Sequence, residues 1–244
     1  MRLSYNEIFK YSDILNPVSS RTLFLAGKLA DLHPKKYILD LGSGKGYPSL
    51  LWASVFGVNV EGFDLNKNYV EHANSRAKLL NLSNRVRYVC GDVRELRFTK
   101  TYDAVSSLGL GVAEVYGAID AALKEFRKVL PTEGFLIVAE PIWLVKPVPN
   151  HVQKRLGTPE KNFSTKPEMG RLFDDFDFEV LGSYVSSKED WECYIRPVNV
   201  AMLELMESNP EIAAECQEVI DGFEAEYQAV KKHWNMVLWV ARTR

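Results

Sequence analysis

Three carboxylates and a run of glycines carry the chemistry offered by this sequence of 244 residues. Asp40-Leu41-Gly42-Ser43-Gly44-Lys45-Gly46 sets three glycines close behind an acidic residue. Glycines let a backbone turn sharply and approach a ligand closely. A dinucleotide loop wants G-x-G-x-x-G, and here Tyr47 stands where the last glycine belongs. A P-loop wants Gly-Lys followed by Ser or Thr, and here Lys45 is followed by Gly46. Asp40 would repel a phosphate and suits a cationic group such as an ammonium. Asp64 can accept both hydroxyls of a ribose, and Asp92, within Cys90-Gly91-Asp92-Val93, an exocyclic adenine amine. Each has a plainer use: the glycines as a tight turn, Asp64 as an N-cap for the helix near Asn66, Asp92 as a cap or turn residue.

The elements that must position these residues alternate between strand and helix. Residues 1–36 read as helical, with Asn16-Pro17-Val18-Ser19-Ser20 opening a helix that ends near His33-Pro34. Tyr37–Leu41 is a short apolar run, followed by the glycine loop and a helix stopped by Gly57. Val58–Phe63, Arg85–Cys90, Tyr102–Leu108 and Phe135–Ala139 read as further strands. The intervening stretches carry apolar residues at helical spacing, as in Val70, Ala73, Ala77 and Leu80. Such alternation predicts an α/β fold with a mostly parallel sheet covered on both faces. Ligands on such sheets bind beyond the carboxyl ends of the strands, where Asp40, the glycines, Asp64 and Asp92 all fall.

An ammonium, a ribose and an adenine without a phosphate are the groups of S-adenosylmethionine. Here the sequence resembles the class I S-adenosylmethionine-dependent methyltransferases. Leu39–Gly46 looks like that family's first motif, Gly91-Asp92-Val93 like its adenine motif, and Tyr102–Gly109 like its fourth-strand motif. Arg127–Gly134 resembles its turn before the fifth strand. Glu140-Pro141-Ile142-Trp143 and Asp190–Tyr194 look like a prokaryotic branch related to quinone methyltransferases. The resemblance implies a Rossmann-like, seven-stranded sheet with its last strand antiparallel and a helical insertion before that strand. It implies a cofactor set of Asp40, Gly42, Ser43, Gly44, Gly46, Asp64, Leu65, Gly91, Asp92, Val93 and Leu108. The chain then reads as one domain over 1–244: N-terminal helices to residue 36, a cofactor core over 37–141, and acceptor-side segments at 142–165 and 188–233.

For the acceptor, two bases stand out: Glu140, directly after the fifth strand, and the imidazole of His151 in the loose segment beyond it. Residues 142–165 are proline-rich and aperiodic, and read as a mobile lid. Trp143, Phe163, Trp191 and Tyr194 could wall an apolar pocket, with Trp191 and Tyr194 facing a cavity near Glu140. The stripe from Ile212 to Tyr227 is expected to pack within its own helical pair and on the N-terminal helices.

Composition narrows the acceptor. Net charge is −2, with no excess of basic residues for a nucleic-acid duplex. The Asn/Asp-Pro-Pro-aromatic motif of nucleobase amine methyltransferases is missing after the fourth strand, where Ser106-Ser107-Leu108-Gly109 stands. The expected acceptor is therefore a small organic molecule, with an apolar or quinone-like one among the candidates. A nucleic-acid methyltransferase, a nucleotide-binding oxidoreductase and a non-catalytic S-adenosylmethionine-binding module are the alternatives. No His, Cys, Asp or Glu grouping has metal spacing. Three cysteines without CxxC spacing suit free thiols, and no run of about 18 apolar residues predicts a membrane span. The first residues lack a signal peptide's apolar run, so a cytoplasmic location is expected. Oligomeric state is not legible.

Overall fold

The computed structural model describes residues 3–97 and 100–244. Seven strands form one sheet: β1 (Tyr37–Leu41), β2 (Asn59–Asp64), β3 (Val86–Cys90), β4 (Ala104–Leu108), β5 (Phe135–Trp143), β6 (Phe178–Val185) and β7 (Trp234–Thr243). Their order is β3-β2-β1-β4-β5-β7-β6. β7 alone runs antiparallel to its neighbours, β5 and β6. Seven strands with the last one antiparallel are what the resemblance implied. The chain leaves β1 toward β2 and β3, then returns to β4 on the other side. The switch between β1 and β4 opens a crevice at the strand ends.

Strand alternation divides the core. On one face Ile38, Val60, Ala104, Ile137, Leu238 and Val240 pack beneath α2 (Ser20–Leu29), α3 (Tyr47–Phe56) and α4 (Lys67–Leu79). On the other, Leu39, Val105, Leu136, Val138 and Trp239 pack under α6 (Ile119–Val129) and α8 (Lys166–Asp175). The short α5 (Val112–Tyr116) follows β4 and meets the second face. The helices start where sequence caps dictate. Ser19 accepts from the Thr22 amide, Asn66 from Asn68 and Tyr69, and Thr165 with Glu168 forms a capping box.

Three expectations need correction. Before α2, helix is confined to α1 (Tyr5–Ile8), with coil and turns over 9–19. There Lys45 Nζ donates to the carbonyl of Phe9 (2.6 Å), holding the segment over the glycine loop in place of helical bonds. β5 runs through Pro141 to Trp143 rather than ending at Ala139. Pairing with β4 ends at Ala139, so Pro141 has a ladder partner only on the β7 side, and an edge position tolerates proline. Finally, the 142–165 segment is built rather than loose. α7 (Asn150–Leu156) occupies its middle, Trp143 Nε1 donates to the Glu160 carbonyl (2.7 Å), and the Val148 amide donates to the Glu160 carboxylate (2.5 Å). Bonds between side chain and backbone have no sequence period, which is why periodicity missed this order.

The helical pair α9 (Lys188–Ser208) and α10 (Ala213–Val230) packs as expected. Val198, Ala201, Met202 and Cys216 meet Phe9, with Ile212, Val219 and Phe223 against them. Among the described residues no helix is long and apolar enough to cross a membrane.

Candidate functional site

The glycine loop hangs from the end of β1 and is tied to β2. The amides of Gly42 and Ser43 both donate to the carbonyl of Phe63 (2.8 and 2.9 Å). Gly42, Gly44 and Gly46 all have positive φ, between 53° and 78°. At Gly46 a Cβ would lie 2.8 Å from the Tyr88 ring and 2.9 Å from the Cβ of Ala73, so this glycine lets α3 start against β3 and α4. At Gly44 it would meet Leu15, from the segment laid over the loop, at 2.9 Å.

Asp40 sits at the floor of a cleft of about 340 Å³, bordered by this loop, Leu15, Asn16 and Leu108–Leu110. Its carboxylate is 2% exposed, and the Ser106 hydroxyl donates to Oδ1 (2.5 Å). Burial pushes its pKa up to about 6, with the Ser106 bond pulling the other way. Among the described residues Oδ2 has no partner, and neither do the buried Asn16 Oδ1 and Ser43 Oγ at the same cleft. Three oxygens left without donors around one cleft fit a ligand rich in N–H groups, and next to Asp40 a cationic one. That is the chemistry of the aminoacyl end of S-adenosylmethionine.

A second cleft, about 300 Å³, continues past Gly42 and Asp64 to Leu65, Gly91, Asp92 and Val93. Asp64 Oδ2 accepts from the Gly44 amide (2.7 Å) and Oδ1 from the Asn66 amide (2.8 Å). Burial raises its pKa against those two bonds. The carboxylate thus ties loop to helix, while the helix cap itself is Asn66. It keeps lone pairs toward the cleft it borders. Asp92 accepts from the backbone and guanidinium of Arg94, which pulls its pKa down to about 2. Leu65 is 70% exposed at the rim. The cofactor set thus lines these two adjoining clefts, except Gly46, which shapes the loop from behind.

The two proposed bases lie elsewhere. Glu140 is 3% exposed and shares strand parity with Leu136, Val138 and Ile142, so it points to the sheet face opposite Asp40. There Oε1 accepts from the Val112 amide at the start of α5 (3.2 Å). Burial pushes its pKa up to about 8. His151 is exposed on α7, edge-on to His233, and lines none of these clefts. Trp191 is 1% exposed and donates to Asn235 Oδ1 (2.8 Å). It packs against Tyr194 and Trp234 as core, on the sheet face opposite Glu140, so the pair does not face that carboxylate. Trp143 is fully buried, and Phe163 stacks on Trp234.

Of those four aromatics, Phe163 alone borders a third cleft of about 440 Å³. Its apolar wall includes Pro141, Leu156, Trp234 and Met236, and α10 closes one side with Ala225 and Glu226. Gly109 borders both this cleft and the one holding Asp40. A larger cleft of about 800 Å³, between the 93–97 segment and α6, touches none of Asp40, Asp64 and Asp92. Sequence reasoning missed Leu15, Asn16, Arg155 and Glu226. Asn16 stood in an Asn-Pro turn and Glu226 inside an amphipathic stripe, and neither spacing marks a ligand contact.

Three comparisons bear on this geometry. Residues 38–134 match the family model described as a methyltransferase domain. Over 217 residues the chain is 26% identical to the uncharacterised protein YjhP of Escherichia coli, covering 88% of this chain and 83% of that one. It is 28% identical over 195 residues to the ubiquinone/menaquinone biosynthesis C-methyltransferase UbiE of Neisseria meningitidis, covering 77% of each. A crystal structure of an S-adenosylmethionine-dependent methyltransferase from Thiobacillus denitrificans, in complex with S-adenosyl-L-homocysteine, superposes with a TM-score of 0.89. It covers 100% of both chains at 22% identity.

Proposed function

We propose that this chain is an S-adenosylmethionine-dependent methyltransferase that methylates a small organic acceptor with an apolar body, held in the cleft between α7, α10 and β7. The observation that carries the reading is Gly109. It borders both the cleft of Asp40 and the apolar cleft, and has φ +76° and no side chain to separate them. Ligands bound in the two clefts would meet across Gly109.

The cofactor, when bound, supplies a methyl on a positively charged sulfur, activated for in-line displacement. The protein's own residues then bind and orient. Asp40, Asn16 and Ser43 receive the ammonium end, Asp64 the ribose, and Gly91, Asp92 and Val93 the adenine. Pro141, Phe163, Trp234 and Met236 exclude water and hold the acceptor's apolar part. Fixing two reactants at contact is where most of the rate gain in such a displacement arises. Glu140 holds the start of α5, behind Gly111, and so shapes the wall between the clefts. An apolar acceptor accords with the quinone named for UbiE. Arg155 is the single basic residue lining the cleft among the described residues, whereas nucleic-acid binding asks for several phosphate contacts.

The test is to incubate purified protein with methyl-labelled S-adenosylmethionine and a cell extract, and to fractionate the products. Label is expected in small molecules soluble in organic solvent. Label confined to nucleic acid or protein would overturn the reading. Phe163→Ala should lower kcat/KM for that acceptor about tenfold, the worth of one aromatic wall, and leave S-adenosylhomocysteine affinity within about twofold. Equal losses in both would place Phe163 in the fold rather than the acceptor cleft.

A further inference from the structure

The apolar cleft contains one anomaly. Among the described residues that line it, Arg155 and Glu226 alone carry charge, and the two form no ion pair. Glu226 projects from α10, half-buried, with no hydrogen bond or salt bridge among the described residues. A half-buried carboxylate without a donor is costly, and a fold retains one where a ligand supplies the donor.

Its surroundings point to a neutral donor rather than a cation. From β5 and β7 the cleft receives Pro141, Trp234 and Met236, none titratable. Tyr194 of α9 lies behind the lining, and its phenol is pushed up first by burial and next by the charge of Glu226. From α7 comes Arg155, which is exposed at the rim. No neighbouring cation offsets the desolvation of Glu226, which raises its pKa to about 7. A carboxylate tuned to neutrality matches proton transfer from an acidic hydroxyl.

Resting on the acceptor reading above, we propose that Glu226 receives the hydroxyl of the acceptor and that this acceptor is a phenol or enol on an apolar ring. In the transfer the O–H bond breaks and its proton passes to the Glu226 carboxylate. The electron pair released to the acceptor forms the new bond to the methyl carbon, at oxygen or at the conjugated ring carbon. The methyl–sulfur bond breaks and its pair remains on sulfur as a neutral thioether. No oxidant or reductant is needed.

The experiment compares 2-naphthol with naphthalene as probes of the protein saturated with S-adenosylhomocysteine, read by quenching of tryptophan fluorescence at pH 8. The wild type should bind 2-naphthol about tenfold more tightly than naphthalene, the worth of one hydrogen bond to a carboxylate. Glu226→Ala should bind both probes alike, with its naphthalene and S-adenosylhomocysteine affinities kept within about twofold. The preference of the wild type should shrink as pH falls through about 7, because the protonated carboxyl is the weaker acceptor. Equal binding of the two probes by the wild type, or a preference retained in Glu226→Ala, overturns the assignment of Glu226 and leaves the cleft standing. Failure of both probes to bind overturns the cleft itself and the assignment with it.

Discussion

The two clefts that meet at Gly109 are built on different plans. On the cofactor side, polar groups sit on strand ends whose register is set by the sheet. Asp40 pairs with Ser106 across the β1–β4 switch, and the Phe63 carbonyl holds the glycine loop. On the side proposed for the acceptor, the walls come from α7 and from the consecutive α10 and β7, two parts of the chain distant from one another in sequence. The first plan fixes backbone amides in place and tolerates little change. The second presents side chains on helices, and its specificity can vary without disturbing the sheet. Ligand chemistry shared across a family sits on the rigid part, and chemistry peculiar to one acceptor on the variable part.

Substitutions test that contrast. The largest effect is expected at Gly46, whose left-handed conformation and contact with Tyr88 leave no room for a side chain. Gly46→Val should lose about 3–5 kcal/mol of stability, from conformational strain plus overpacking, read from the denaturant midpoint. A loss under about 1 kcal/mol would show the loop to be plastic and erase the contrast.

Glu140 is next. Its carboxyl is raised by burial from 4.5 to about 8. The favourable contribution of such a group is fully present below its unfolded value and is lost as pH rises through the folded one. Glu140→Gln cannot ionise and can still accept from Val112. It should therefore gain on the wild type in thermal melts from about pH 5 to 8, by about 3–4 kcal/mol in all, and level off above. A pH-independent difference would mean that Glu140 is solvated in the native state.

Asp64→Ala should weaken S-adenosylhomocysteine binding by about 2–4 kcal/mol in calorimetry, since charge-assisted bonds are lost. Undiminished affinity would remove Asp64 from the ribose and leave it as a tie between Gly44 and Asn66. The smallest effect is expected at His151, exposed on α7. His151→Ala should change turnover by less than about twofold, as surface substitutions do. A hundredfold loss, the scale of a missing general base, would bring α7 into the chemistry.

By itself the sequence determined the alternation of strands and helices, the caps, and the carboxylates at the strand ends. These are local: a period of two or 3.6, a glycine that must turn, and a side chain that caps its own helix are readable within a few residues. The same locality made Asp40, Asp64 and the glycine loop legible as a site, because one sheet brings its strand ends together whatever follows. Tertiary structure alone decided the rest. Glu140 and Asp40 both sit in central strands, yet the parity of β5 turns Glu140 to the opposite face. Trp191 and Trp143 became core, while Phe163 reached the cleft. Lys45 took a backbone carbonyl of the N-terminal segment as its partner, and Glu226 was left facing a cavity with none among the described residues. Burial and the meeting of distant elements set whether a polar group is satisfied, and no short stretch of chain contains that information.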